Sequence, residues 1–316
     1  MKIALIEPLR ISKDLLNDLA APLRAAGHAF TAYDAKAQTP AEMAARVRGQ
    51  DIVMIANTPF PEAVAQGADQ LKMLDVAFTG IDHVALDACR KKGVVICNCA
   101  NYSNQSVAEM TLGMALSLLR KLPEADRAIR AGQGGGAWMG REIGGRTVGV
   151  IGTGRIGAQV IRLFQAFGAK VIAYSRTEKP EIKALGVTYL PLKDVLSQSD
   201  IVTLHVPATP ETKHLIGAEE LRCMRPGSLF INCARGPVAD ALALRDALNE
   251  GKIAGAAVDV YDQEPPLPAD HPLFGAKNLL MTPLTAYLTE EAMIRRAGIA
   301  FENVAAFLRG EPQNVC

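Results

Sequence analysis

Neither sign of charge prevails in this sequence: 34 Lys and Arg stand against 33 Asp and Glu, a formal net charge of +1. Without a basic excess there is no electrostatic reason to expect nucleic acid or an anionic membrane as a partner. No apolar run approaches the roughly 20 residues that a membrane-spanning helix needs. The opening Met1-Lys2-Ile3-Ala4-Leu5-Ile6 is too short an apolar stretch for a signal peptide, so a cytoplasmic location is the default expectation. Cys89, Cys97, Cys99, Cys223, Cys233 and Cys316 form no Cys-x-x-Cys pair and match no histidine spacing, so no metal is expected and all six read as reduced thiols. Cys97 and Cys99 alternate along an apparent strand and could touch, but small core residues explain them better than a metal pair. Internal repeats and low-complexity tracts are missing too.

What is present is an alternation of short apolar runs with amphipathic stretches, the pattern of a parallel α/β sheet. The 316 residues leave room for two domains. Strands are expected at 3–6, 29–33, 52–55, 73–77 and 94–97, and again at 147–151, 171–174, 201–204, 228–232, 256–260 and 279–281. Between the two series, residues 106–130 read as one long helix, followed by the glycine-rich run 132–136, a surface loop. Residues 290–308 read as a closing amphipathic helix.

The second series opens on Gly152-Thr153-Gly154-Arg155-Ile156-Gly157, placed directly after an apolar strand and directly before a helical pattern. That context is what a dinucleotide fingerprint requires. Gly152 permits the tight turn, Gly154 lets the backbone approach a pyrophosphate, and Gly157 allows close helix–strand packing, while the helix N-terminus meets the phosphate charge. An NAD site would place a carboxylate at the tip of the following strand to hold the ribose 2′-hydroxyl. Here that tip reads Tyr174-Ser175-Arg176-Thr177. Arg176 can pair with a 2′-phosphate, and Ser175 or Thr177 can donate to it, which favours NADP. Glu178 would serve NAD if the turn were displaced, and a solvated Arg176 would leave both cofactors acceptable.

Further motifs stand in order along nearly the whole chain: Phe78-Thr79-Gly80-Ile81-Asp82, Val107-Ala108-Glu109, His205-Val206-Pro207 with Thr212, Asn232-Cys233-Ala234-Arg235-Gly236, and Asp259-Val260-Tyr261-Asp262-Gln263-Glu264-Pro265. Together with the glycine turn, they resemble the D-isomer-specific 2-hydroxyacid dehydrogenases, particularly the glyoxylate/hydroxypyruvate reductase-like branch. The resemblance implies an α/β fold of two Rossmann/flavodoxin-like doubly wound parallel-sheet domains with an interdomain cleft. Residues 1–100 plus 288–316 would form the substrate domain, and 101–287 the dinucleotide-binding domain. It implies a homodimer, with the helix near Ser106 at the interface, and a small carboxylate as substrate. Arg235 would pair with both the carboxylate and the ketone of a 2-oxo acid, the backbone N–H groups of Thr79 and Gly80 would bind the carboxylate, and Asp259 would hold the nicotinamide carboxamide. His205, Val206, Pro207, Thr212, Cys233 and Ala234 would line the cofactor.

One position departs from that pattern. In the family, the acid equivalent to Glu264 supports a histidine that follows a Thr-Pro pair and protonates the carbonyl oxygen. Here the pair Thr282-Pro283 is followed by Leu284, which can neither donate nor accept a proton. Three readings stay open. Another group (His83, Tyr102, Tyr287 or a water) supplies the proton to a 2-oxo acid; the protein binds cofactor but is impaired, a sensor or an altered homologue; or the hydride transfer needs no such acid.

Overall fold

A computed structural model of the chain describes residues 1–134, 138–263 and 265–316. They fall into two compact units, Met1–Ser103 with Thr289–Cys316, and Asn104–Leu288. Each is a parallel α/β sheet, as the alternating pattern anticipates.

The first unit contains β1 (Lys2–Leu5), β2 (Ala29–Ala32), β3 (Ile52–Ile55), β4 (Met73–Val76) and β5 (Val95–Asn98), ordered β2-β1-β3-β4-β5. β3 and β4 are buried along their whole length, as continuous apolar runs in a two-sided parallel sheet should be. Their flanking helices start on capping side chains: Ser12 accepts from Leu15 N–H ahead of Lys13–Ala25, and Thr39 from Glu42 N–H ahead of Pro40–Val47. The closing helix, Glu290–Leu308, is capped by Thr289. It brings Asn303 onto the buried Asp75 of β4, at 2.8 Å between Nδ2 and Oδ1, and Arg296 onto the Leu9 carbonyl at 2.7 Å. Burial pushes Asp75 up to about 8, against the opposing pull of the Asn303 hydrogen bond. Beyond the helix, Asn98 N–H donates to Asn314 and Cys316 N–H to Ile96, extending the sheet past β5.

The second unit contains β6 (Thr147–Ile151), β7 (Lys170–Tyr174), β8 (Thr188–Tyr189), β9 (Ile201–Leu204), β10 (Leu229–Asn232), β11 (Gly255–Val258) and β12 (Leu279–Met281), ordered β12-β11-β10-β9-β6-β7-β8. The strand order reverses between β6 and β9, the place where doubly wound sheets open a crevice at the carboxyl ends of their strands. Buried residues of the helices Asn104–Arg120 and Arg155–Ala166 pack together on one face.

The single helix expected over 106–130 is instead two helices, Asn104–Arg120 and Leu122–Arg130, parted at Lys121 in the left-handed region at φ 53°. Pro123 explains the break. It has no N–H to give to the carbonyl of Leu119, and its ring would crowd that oxygen in a continuous helix. The freed carbonyl accepts instead from Arg141 N–H at 2.9 Å. Of the glycine-rich run, Gly135 and Gly136 lie outside the described residues. All six cysteines are free thiols, and among the described residues no cluster of His, Cys, Asp and Glu could hold a metal. No described helix is long and apolar enough to cross a membrane.

A candidate dinucleotide site at the strand-order reversal

The glycine turn leaves β6 at the reversal, and the three glycines differ in their surroundings. Gly152 has φ +98°, and a Cβ there would lie 2.5 Å from the His205 carbonyl oxygen, so only glycine lets the two loops touch. A Cβ on Gly157 would collide with the carbonyl oxygen of Gly152. Gly154 is exposed, with nothing within 4 Å of where its Cβ would point, an open approach to the backbone. The following helix, Arg155–Ala166, has no side-chain cap on its first turn, with Arg155 exposed and Ile156 half-buried there. Tight on two sides and open on the third, this backbone fits a pyrophosphate seated on a helix N-terminus.

His205-Val206-Pro207 follows β9 and forms the other side of the turn. The His205 ring is partly exposed as a whole, yet its Nδ1 is enclosed and without a hydrogen-bond partner, while Nε2 lies 3.0 Å from Thr203 Oγ1. Burial holds the imidazole down to about 3, so it is neutral and no proton donor at ordinary pH. Thr212 closes this loop, donating to the Pro207 carbonyl at 2.6 Å and accepting from Thr209 N–H at 2.8 Å.

At the tip of β7, Ser175 is half-buried while Arg176 and Thr177 are exposed. Arg176 lies near enough to Glu211 to help hold that carboxyl below its usual range, behind larger hydrogen-bond contributions from Thr209 and its own backbone. Glu178 turns away to an ion pair with Lys183 at 2.5 Å.

The carboxyl ends of β10, β11 and β12 carry the remaining residues. Cys233 is buried with its Sγ 3.4 Å from Met114 Sδ, and burial with the nearby Asp259 pushes its thiol up to about 12, so it is packing rather than a nucleophile. Ala234 N–H donates to Asn232 Oδ1 at 3.0 Å, and Asn232 Nδ2 donates to the Arg235 carbonyl at 3.0 Å. Asn232 thereby folds the turn that presents Arg235, and Gly236 permits it, since a Cβ there would run into the backbone of Tyr261. Arg235 is half-buried and donates from Nη1 to the Ala234 carbonyl at 2.8 Å.

Asp259 is 1% exposed, and its carboxylate organises the segment after β12. It accepts from Thr282 Oγ1 at 2.6 Å, Thr285 N–H at 2.8 Å, Thr285 Oγ1 at 3.3 Å and Ala286 N–H at 2.8 Å. Leu284 stands inside that wrapped segment at φ 55°, half-buried, its N–H donating to the Asp259 carbonyl at 3.0 Å. Tyr261 donates its hydroxyl to the Thr282 carbonyl at 2.8 Å, and burial with the Asp259 charge pushes it up to about 12. Glu264 lies outside the described residues.

In the first unit, Thr79 and Gly80 follow β4. The Thr79 carbonyl accepts from Asn98 Nδ2 at 2.9 Å, bracing the loop on the end of β5. Of the proton donors considered from the sequence, Tyr102 is 1% exposed beneath Arg296, and His83 Nε2 lies 3.0 Å from the Ala56 carbonyl. Sequence reading passed over Glu7, whose buried carboxylate ties the ends of β1 and β3 together by accepting from Ala56 and Thr58 N–H at 2.7 and 3.0 Å. It passed over Tyr189 as well, whose hydroxyl lies 2.8 Å from Thr153 Oγ1 inside the glycine turn. A lone polar residue gives no local sign of such a role.

Comparison with known proteins agrees with this geometry. Residues 112–286 match the model for the D-isomer specific 2-hydroxyacid dehydrogenase, NAD binding domain. The chain is 37% identical over 278 residues to a glyoxylate reductase of Korarchaeum cryptofilum, covering 85% of this chain and 83% of that protein. It is 36% identical over 281 residues to a D-3-phosphoglycerate dehydrogenase of Methanocaldococcus jannaschii, covering 86% of this chain but only 52% of that protein, so it spans about half of that relative's length. A solved acyclic imino acid reductase in complex with NADPH and D-Arg superposes over the whole of both chains with a TM-score of 0.90 at 26% identity. With its glycine turn at the strand-order reversal and Arg235 on the same edge of the sheet, the chain belongs to the D-isomer specific 2-hydroxyacid dehydrogenase family, in its glyoxylate/hydroxypyruvate reductase branch.

Proposed function

We propose that this protein is a nicotinamide-dependent reductase of small 2-oxo-acid skeletons that favours NADP(H) over NAD(H). The observation that carries the reading is the open face of Gly154 at the N-terminus of the uncapped helix Arg155–Ala166, beside the loop whose His205 Nδ1 is enclosed without a hydrogen-bond partner. A bound nicotinamide supplies a hydride from C4. The second unit (104–288) would hold it, and the first unit (1–103 with 289–316) would hold substrate. In the second unit, Arg235 would offer paired charge-assisted hydrogen bonds to a carboxylate, and in the first, the N–H groups of Thr79 and Gly80 would offer donors of their own. Asp259 would orient the carboxamide through whatever accepting capacity its four contacts leave. Leu284 would take the place of the general acid.

NADP preference is supported by Arg176, exposed at the β7 tip beside Glu211, while the carboxylate that follows in sequence, Glu178, is paired with Lys183. The similarity to an imino acid reductase brings C=N acceptors within reach of the same frame. We further propose a cytoplasmic homodimer. Leu122, Ile129, Trp138 and Met139 are exposed, and the last two line a cavity of ≈ 750 Å³ that mixes Leu118, Leu119 and Leu280 with Lys121, Glu124, Arg127 and Arg141, an apolar patch with a charged rim suited to a second copy.

The test is steady-state oxidation of NADPH and NADH with a panel of 2-oxo acids, alongside cofactor binding by fluorescence. We expect NADPH to bind more tightly, and Arg176→Ala to weaken NADPH by about 10- to 100-fold, the worth of one charge-assisted contact, while leaving NADH nearly unchanged. Equal binding of the two cofactors before and after the substitution would remove the NADP assignment. A protein that binds NADPH and turns over nothing would be the impaired homologue.

A further inference from the structure

Reducing a ketone requires a proton on oxygen as the hydride arrives, and four groups at the second unit's carboxyl edge, Asp259, Tyr261, Cys233 and His205, are otherwise engaged. The Asp259 carboxylate is surrounded by hydrogen-bond donors, Tyr261 gives its only proton to the Thr282 carbonyl, and the Cys233 thiol is packed on Met114. His205 has its Nδ1 enclosed and its Nε2 on Thr203, and burial keeps the ring neutral. Leu284 lies in the segment wrapped on Asp259 and brings a hydrocarbon side chain there.

Resting on the function proposed above, we infer that the acceptor reduced here is a 2-imino carboxylate in its protonated, iminium form. An iminium nitrogen already carries the proton that a carbonyl oxygen must be given, so no positioned acid is needed. It is also a cation, and leucine spares it the like charge that an imidazolium would set beside it. Arg235 then holds only the carboxylate. Hydride arrival forms the C–H bond at the imino carbon, moves the C=N π pair onto nitrogen as a lone pair, and leaves the nicotinamide oxidised. The resulting amine takes a proton from bulk water and departs as the ammonium carboxylate.

The protein is assayed with NADPH and glyoxylate, pyruvate and longer 2-oxo acids, with and without ammonium or methylamine, and with a preformed cyclic imino acid. Products are resolved by chiral chromatography, using NADPH deuterated at C4. We expect amine-dependent oxidation at least about 10-fold above the amine-free rate and a deuterated amino acid. Independently of turnover, calorimetry on the oxidised-cofactor complex should show alanine binding better than lactate, with Leu284→His reversing that order. The same substitution should raise ketone reduction by about 10²–10⁴, the usual worth of a positioned acid. Amine-independent formation of the 2-hydroxy acid at an equal rate overturns the inference but leaves the reductase function standing, and its loss in Tyr287→Phe would identify the acid. NADPH binding with no amine-dependent turnover across the panel also overturns it. Failure to bind NADPH at all overturns the functional reading beneath it.

Discussion

Arg235 and Leu284 stand just past β10 and β12, and under the proposed function they would have opposite tasks, one to hold charge and the other to withhold it. Arg235 depends on Asn232 and Gly236 for its direction, so its fork geometry matters as much as its charge. Arg235→Gln should lower kcat/KM by about two orders of magnitude or more, as expected for breaking a charge pair. Arg235→Lys should recover only part of that loss, because an ammonium cannot offer two parallel donors. Steady-state kinetics on both variants check this, and equal recovery by lysine would reduce Arg235 to a point charge. The candidate site residues were legible as candidates because their motifs stand at strand ends. Tyr189 and Glu7 were not, since each acts on groups that only the fold brings near, and Asn232 stood in a motif without its turn-making role showing.

At the scale of elements, the strands could be read to within about a residue at most positions because both sheets are parallel and buried, so their apolar runs have sharp edges. β8 was missed, since its two residues form no run. The helix over 106–130 was misread because the apolar periodicity continues through Pro123, although the chain breaks at Lys121 to spare the Leu119 carbonyl. The helix Arg155–Ala166 packs closely against the turn before it, where a Cβ on Gly157 would run into the Gly152 carbonyl oxygen. Gly157→Ala should lower stability by about 1–3 kcal/mol through overpacking and weaken NADPH binding as the turn shifts, read by thermal melts and fluorescence titration. A variant that melts and binds like the native protein would show that the turn yields without cost.

For the whole molecule, two predictions concern assembly and pH. If a second copy covers the apolar surface around Trp138, Met139→Arg should shift the mass measured by sedimentation from dimer to monomer, for Met139 is 87% exposed in the single chain. An unchanged mass would place the interface elsewhere. Asp75 links pH to folding. Its folded value of about 8 lies above the ordinary carboxylate value of 3.8, so between these limits the folded state keeps a proton that the unfolded chain has released. Its contribution to stability is fully present below the lower limit and is lost as pH rises through the upper one, by at most a tenfold change in the folding equilibrium per pH unit. Denaturant melts across this window should show a flatter profile for Asp75→Asn than for the native chain, and parallel profiles would refute the linkage.

The partner that satisfies Asp75 arrives from far along the chain. Asn303 belongs to a segment separated from β4 by the entire second unit. A ribosome making this protein therefore releases the residues of five strands long before the helix that seals them. The second unit comes from one uninterrupted stretch and can close while synthesis continues, whereas the first must wait with Asp75 still hydrated and charged. The order of folding would thus invert the order of synthesis, with the earliest strands the last to be sealed.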